Sequence, residues 1–163
     1  MRARVVVRLP GIVAVLASLI GLTGCTPAEL PVTALSYVDG RPVLLIADCA
    51  EFDTRRISVF TVGATPAARW RADREQGVAP EEVPLLELPQ GWTVDEDTLT
   101  TFDPGTDYKV GTFGASRRAV FIGFTVDQLE ALSPGQVLVG EAVGKGKAVS
   151  ASRFRSKAKK ACD

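Results

Sequence analysis

Beyond position 31 the apolar residues fall in short runs separated by turn residues, the pattern of strands rather than of helices. Val32–Val38 reads as a first strand, and Asp39-Gly40 after it favours a tight hairpin, because both residues tolerate positive φ. Pro42–Ala47 returns and is dense enough in aliphatic residues for a buried central strand. Ile57–Val62 is a third strand. Ala67–Ala72 is a fourth, with Trp70 turned inward between Arg69 and Arg71. The charged segment from Asp73 to Pro84, punctuated by Gly77, Pro80 and Pro84, reads as a loop, and Leu85–Leu88 as a brief strand ended by Pro89 and Gly91. Asp107–Phe113 and Ala119–Phe124 form a further pair joined through 114–118. Gln136–Glu141 follows as a strand, Gly144–Lys147 can turn, and Ala148–Phe154 can pair back.

One helix interrupts this series. Thr125 with Gln128 three residues later has the form of a capping box, and Val126, Leu129 and Leu132 then share a face before Ser133-Pro134-Gly135 stops the helix. Taken together the pattern predicts a mainly β chain. The expected architecture is a single immunoglobulin-like or fibronectin-like β-sandwich, or a small barrel, with one short helix near 126–132. Such a fold carries no function by itself.

The first 24 residues differ in kind. Arg2, Arg4 and Arg8 precede an aliphatic run, GIVAVLASLIGL, with no acid. A basic start, a short apolar stretch and small residues at its end make a secretory signal peptide. The uncharged stretch is shorter than the roughly 20 residues a spanning helix needs. No adjacent arginine pair marks a twin-arginine signal. At its end stands Leu22-Thr23-Gly24-Cys25. This resembles the lipobox of bacterial prolipoproteins: an aliphatic residue, two small ones, then cysteine. The resemblance covers the leader only. It implies cleavage by signal peptidase II and a diacylglyceryl group on the Cys25 sulfur. It also implies an exported chain, lipid-anchored to the outer face of the cytoplasmic membrane. Non-acidic Thr26 permits sorting to an outer membrane if the cell has two. Two acyl chains give a stable anchor where one holds only weakly. The expected organisation is therefore a leader over 1–24, a lipidated N-terminus and Pro-rich tether over 25–31, and one β-rich domain over 32–163.

Charge and cysteines follow from that division. The whole chain carries 19 basic and 19 acidic residues; the leader holds three of the basic ones and no acid, which leaves a net charge of −3 beyond it. That balance argues against a nucleic-acid partner. With Cys25 lipidated, Cys49 and Cys162 remain, and in an oxidising compartment a disulfide between them is the default. Free thiols and a bond to another chain are the competing readings. Two cysteines without histidine do not complete a zinc shell, so no structural metal or cofactor is expected.

The chemistry available is narrow. The chain has no histidine, which removes the commonest general base and metal ligand. Gly140–Lys145 is one residue short of a phosphate loop, lacks the following Ser/Thr, and reads as a hairpin turn. Asp95, Glu96, Asp97, Asp103 and Asp107 do not have EF-hand spacing and read as solvated acidic turns rather than a calcium site. Trp70, Trp92 and Tyr108 read as core, with a ligand groove as the alternative. The basic run Lys145, Lys147, Arg153, Arg155, Lys157, Lys159 and Lys160 reads as a solvated strand and tail. Contact with anionic headgroups or wall polymers is its functional alternative. No enzyme is predicted. The leading expectation is a membrane-anchored binding or scaffolding module for a protein or envelope partner. A small-ligand carrier is second. A carboxylate-based glycan enzyme using Asp48, Glu51 and Asp53 is third.

Overall fold

The computed structural model describes residues 29–47, 49–141 and 145–163. Among the described residues, twelve strands and two helices follow one another as β1 (Glu29–Leu30), β2 (Thr33–Val38), β3 (Arg41–Ile46), β4 (Arg56–Thr61), β5 (Arg69–Arg74), β6 (Glu82–Pro84), β7 (Trp92–Asp97), β8 (Tyr108–Phe113), β9 (Arg118–Ala119), β10 (Ile122–Phe124), α1 (Val126–Glu130), β11 (Gln136–Val139), β12 (Lys147–Ser150) and α2 (Ala151–Cys162). They build a β-sandwich of two sheets. The first runs β1-β9-β8-β4-β5-β7, with β10 also paired to β8; the second runs β12-β11-β2-β3-β6. The mainly β architecture and its short helix are as expected, and the sheets stay separate rather than closing into a barrel.

Alternation along the strands explains the layering, because successive side chains point to opposite faces. On β2 and β3, Leu35 and Leu44 lie in register and face the first sheet, where they meet Ile57, Val59, Trp70 and Val110. Tyr108 and Phe124 close one end of this core with Phe102 packed edge-on against both. The Tyr108 hydroxyl accepts from the Asp103 backbone N–H at 2.8 Å, so its polar end is partnered inside the protein. Trp70, Trp92 and Tyr108 are thus core residues, each at most 4% exposed. The hairpin at Asp39-Gly40 has both residues at positive φ, 51° and 77°, the primed turn that their side chains tolerate.

The opposite side chains of the second sheet form a smaller core. Ala34 and Val137 pack with Phe154 and Ala158 of α2, joined by Leu30 of β1 in the first sheet and by Val32 between the two sheets' first strands. The molecule therefore has three layers: sheet, sheet, helix. α2 corrects the expectation of a strand over 148–154. Only Lys147–Ser150 is extended; Ser150 then caps the helix by accepting from the Arg153 N–H at 3.3 Å. Apolar residues at 151, 154, 158, 161 and 162 supply the buried stripe of helical spacing. Lys159 and Lys160 sit in its last turn, where the helix dipole favours cations.

Three further corrections concern the middle of the chain. Asp95–Asp97 belong to edge strand β7, not to a turn, and the paired segment there is held by cross-strand arginines. The expected loop over 73–84 contains the end of β5 and all of β6. Leu85–Leu88 is not a strand: β6 ends at Pro84, and Leu86 turns the chain at φ 68°. At the N-terminal side, Glu29 and Leu30 pair in parallel with Arg118 and Ala119, and Leu30 is buried. The folded unit thus begins before position 32, inside the expected tether. α1 matches its prediction: Thr125 Oγ1 accepts from the Gln128 N–H at 3.2 Å, and Leu129 fills the core. The Gln128 side chain, however, donates to the Gly146 carbonyl at 2.9 Å instead of reaching back to the cap.

One crossing fixes how β11 leaves the second sheet. A Cβ placed on Gly140 would lie 2.2 Å from the Phe121 carbonyl oxygen, so only glycine passes here. Gly140→Ala is expected to destabilise the fold by about 1–3 kcal/mol, the usual cost of overpacking. Urea unfolding measures it, and an unchanged midpoint would show that the crossing opens freely.

Candidate functional site

α2 lies on the second sheet with a groove along each side. The larger groove has a volume of about 660 Å³. Its floor is the outer face of the second sheet, with Val139 of β11 and Val149 of β12, and Thr33 at the start of β2 borders it. Val139 points outward because its neighbour Leu138 points into the sandwich core, and Val149 pairs with Val137 on the same outer face. Phe154 of α2 forms one wall, and Pro31 with Val120 the other. The surface inside is therefore mainly apolar. Its volume falls within the roughly 300–1,000 Å³ of small-molecule sites.

The rim is charged. Arg153 and Lys157 stand one helical turn apart on the α2 side, and Lys147 enters from β12. Two acids also reach the rim, but each has a cation of its own. Glu29 pairs with Arg118 at 2.6 Å, and Glu141 lies 3.9 Å from Lys147. Among the described residues none of the five α2 cations, Arg153, Arg155, Lys157, Lys159 and Lys160, takes part in an ion pair. Arg153 and Lys157 are thus uncompensated positive charge over an apolar cleft. The groove on the other side of α2, about 540 Å³, is lined by three acids, Glu81, Glu82 and Asp163, together with Arg155 and Lys159.

A disulfide holds the helix in place. Cys49 and Cys162 are bonded, with Cα atoms 5.4 Å apart and a separation of 113 positions in sequence. Cys49 sits just beyond β3, so the bond ties the last turn of α2 to the sheet on which it lies. The pairing expected from cysteine usage is present. Cys25, the expected lipidation site, lies outside the described residues, as does Asp48.

The other candidate residues do not assemble into a site. Glu51 pairs with Arg117 at 2.6 Å, whereas Asp53 accepts from Arg74 and lies 3.5 Å from Arg55. The Arg74 hydrogen bond holds the Asp53 carboxyl below its ordinary range against the opposing effect of burial. Its contribution to stability is therefore present above the unfolded pKa near 3.8 and is lost as pH falls through the lower folded value. Asp53→Asn is expected to make the acid limb of a stability–pH curve shallower below about pH 4; an unaltered limb would remove Asp53 from the acid response. In the acidic segment, Glu96 lies 3.3 Å from both Arg69 and Arg71, Asp95 also pairs with Arg71, and Asp107 lies 3.1 Å from Lys145. No group of three such ligands is placed to hold a metal among the described residues. Of the Gly140–Lys145 turn, residues 142–144 lie outside the described residues.

The groove itself was not legible as a site. The basic run was visible, but its arrangement on a helix was not. The signal that marks it is Ser150 followed by apolar residues at 151, 154 and 158 with cations between them, a cap and a helical stripe. No protein-family model, no curated protein and no solved structure matches this chain.

Proposed function

We propose that this chain is an exported lipoprotein, anchored through a diacylglyceryl group on Cys25. Its β-sandwich acts at the membrane surface as a binding or scaffolding module for an envelope or protein partner. The observation that carries the reading is the cysteine pairing. Cys49 and Cys162 are joined to each other, and the third cysteine, Cys25, stands where the lipobox places its lipid acceptor. A disulfide also accords with an oxidising compartment. The docking of Glu29–Leu30 against β9 leaves only Thr26, Pro27 and Ala28 between the anchor and the fold, so the domain would ride close to the bilayer.

Cys25→Ala is expected to abolish incorporation of radiolabelled palmitate and to release the exported protein from the membrane fraction. A variant that stays membrane-bound and equally labelled would overturn the lipoprotein reading. For the partner, crosslinking of the tagged protein in its own cells is the direct test. A specific crosslinked protein, lost on mutation of one exposed patch, supports a scaffolding role. The apolar groove beside α2 favours a second reading, a small-ligand carrier. A ligand copurifying with the protein would decide for it.

A further inference from the structure

We infer that the groove between α2 and β12 is a binding site for an acidic phospholipid of the same bilayer, taking an acyl chain on its apolar floor and the phosphate at Arg153 and Lys157. Three observations carry this. First, the cleft is lined by Val120, Val139, Val149 and Phe154, and its volume of about 660 Å³ suits a flexible apolar chain. Second, among the described residues Arg153 and Lys157 on its rim take part in no ion pair and its two acids, Glu29 and Glu141, are held by Arg118 and Lys147, whereas Glu81, Glu82 and Asp163 of the opposite groove have no ion-pair partner beyond the cations that line it. Residues four apart on a helix are neighbours, so Arg153 and Lys157 present two donors to one anion. Long cationic side chains beside an apolar stripe place their charge at a headgroup and their stems against acyl chains.

Third, the groove opens beside the point where the chain meets the membrane. Glu29 is on its rim and lies four residues after Cys25. Four extended residues reach at most about 14 Å. A cysteine whose acyl chains lie in the leaflet is at headgroup level, and so the groove mouth is within reach of the headgroups. This third argument rests on the proposed anchor. The chemistry of the groove does not.

Crosslinking from within the lipid tests it. The full protein, purified from membranes, is reconstituted in phosphatidylcholine vesicles containing a trace of photoactivatable-acyl phosphatidylglycerol or, in parallel, photoactivatable-acyl phosphatidylcholine. Crosslinked peptides are then mapped by mass spectrometry. The phosphatidylglycerol probe is expected to label peptides containing Val139, Val149 or Phe154 at least about tenfold more than the phosphatidylcholine probe. Arg153→Glu with Lys157→Glu, both exposed, is expected to lower that labelling about tenfold. Arg155→Glu with Lys159→Glu makes the same charge change on the other flank and should alter it by less than about twofold. Equal labelling by both probes, labelling confined to the tether, or equal loss with either pair of substitutions would overturn the assignment. Intact mass on the same sample reads the lipid on Cys25. Its absence there would reject the anchor while the crosslink map still judges the groove.

Discussion

Removal of the Cys49–Cys162 bridge, as Cys49→Ala with Cys162→Ala, is expected to cost about 2–5 kcal/mol of folding stability. The bridge spans 113 residues, and in the chain-entropy picture a closure of about 100 residues restricts the unfolded chain by about 4.7 kcal/mol. For a domain whose total stability is about 5–15 kcal/mol, that is a large share. The local effect should be larger than the global one. α2 has 12 residues, a length at which an isolated helix is marginal, and its own hold on the sheet is mainly Phe154 and Ala158. Without the bond its last turn should fray first. Urea unfolding with and without the bridge measures the first effect, and amide hydrogen exchange over 157–162 the second. A loss below about 1 kcal/mol with unchanged exchange would mean that packing alone seats the helix. Because α2 forms one wall of the groove, lipid crosslinking should fall in the same variant.

Trp70→Ala is expected to destabilise by about 3–5 kcal/mol. Trp70 is 2% exposed, sits opposite Val59 on β4 and reaches between the sheets in the main core. Truncation removes one of the largest buried side chains, and the surrounding sheet backbone is too constrained by its ladders to close the cavity. Urea unfolding should show a lower midpoint at unchanged slope, since the surface exposed on unfolding barely changes. A midpoint near wild type would mean that the two sheets collapse around the gap. The cost of this cavity should nearly add to the loss of the disulfide, because Trp70 and the Cys49–Cys162 pair belong to different cores on opposite faces of the second sheet.

Several elements were readable because their causes are local. Asp39-Gly40 makes its hairpin through the positive φ of those two residues alone. Thr125 caps α1 through a bond three residues away. The aliphatic density of Val43, Leu44 and Leu45 marks a strand covered on both sides, and it is covered by a sheet on one face and by helix packing on the other. β7 was hidden for the opposite reason. Its sequence, WTVDED, looks like a solvated turn, and its acids become strand residues only when Arg69 and Arg71 arrive on β5. α2 was hidden because Ala148 to Phe154 satisfies a strand pattern as well as a helical one until the Ser150 cap and the packing of Ala158 decide between them.

By itself the sequence determined the class of the fold, the hairpin, the short helix and the cysteines available for pairing, since each depends on neighbours in the chain or on residue counts. It also supplied the lipobox resemblance and the anchor that resemblance implies. The tertiary structure alone decided that the C-terminal cations stand on a helix, that two of them overhang an apolar groove, and that Glu29 brings the start of the domain to its rim. The physical reason is separation. β1, β11, β12 and α2 come from both ends of the chain, and no local preference at Glu29 or Lys157 refers to the other. Only the packing of α2 on the second sheet, fixed by Phe154 and the bond to Cys49, makes them neighbours.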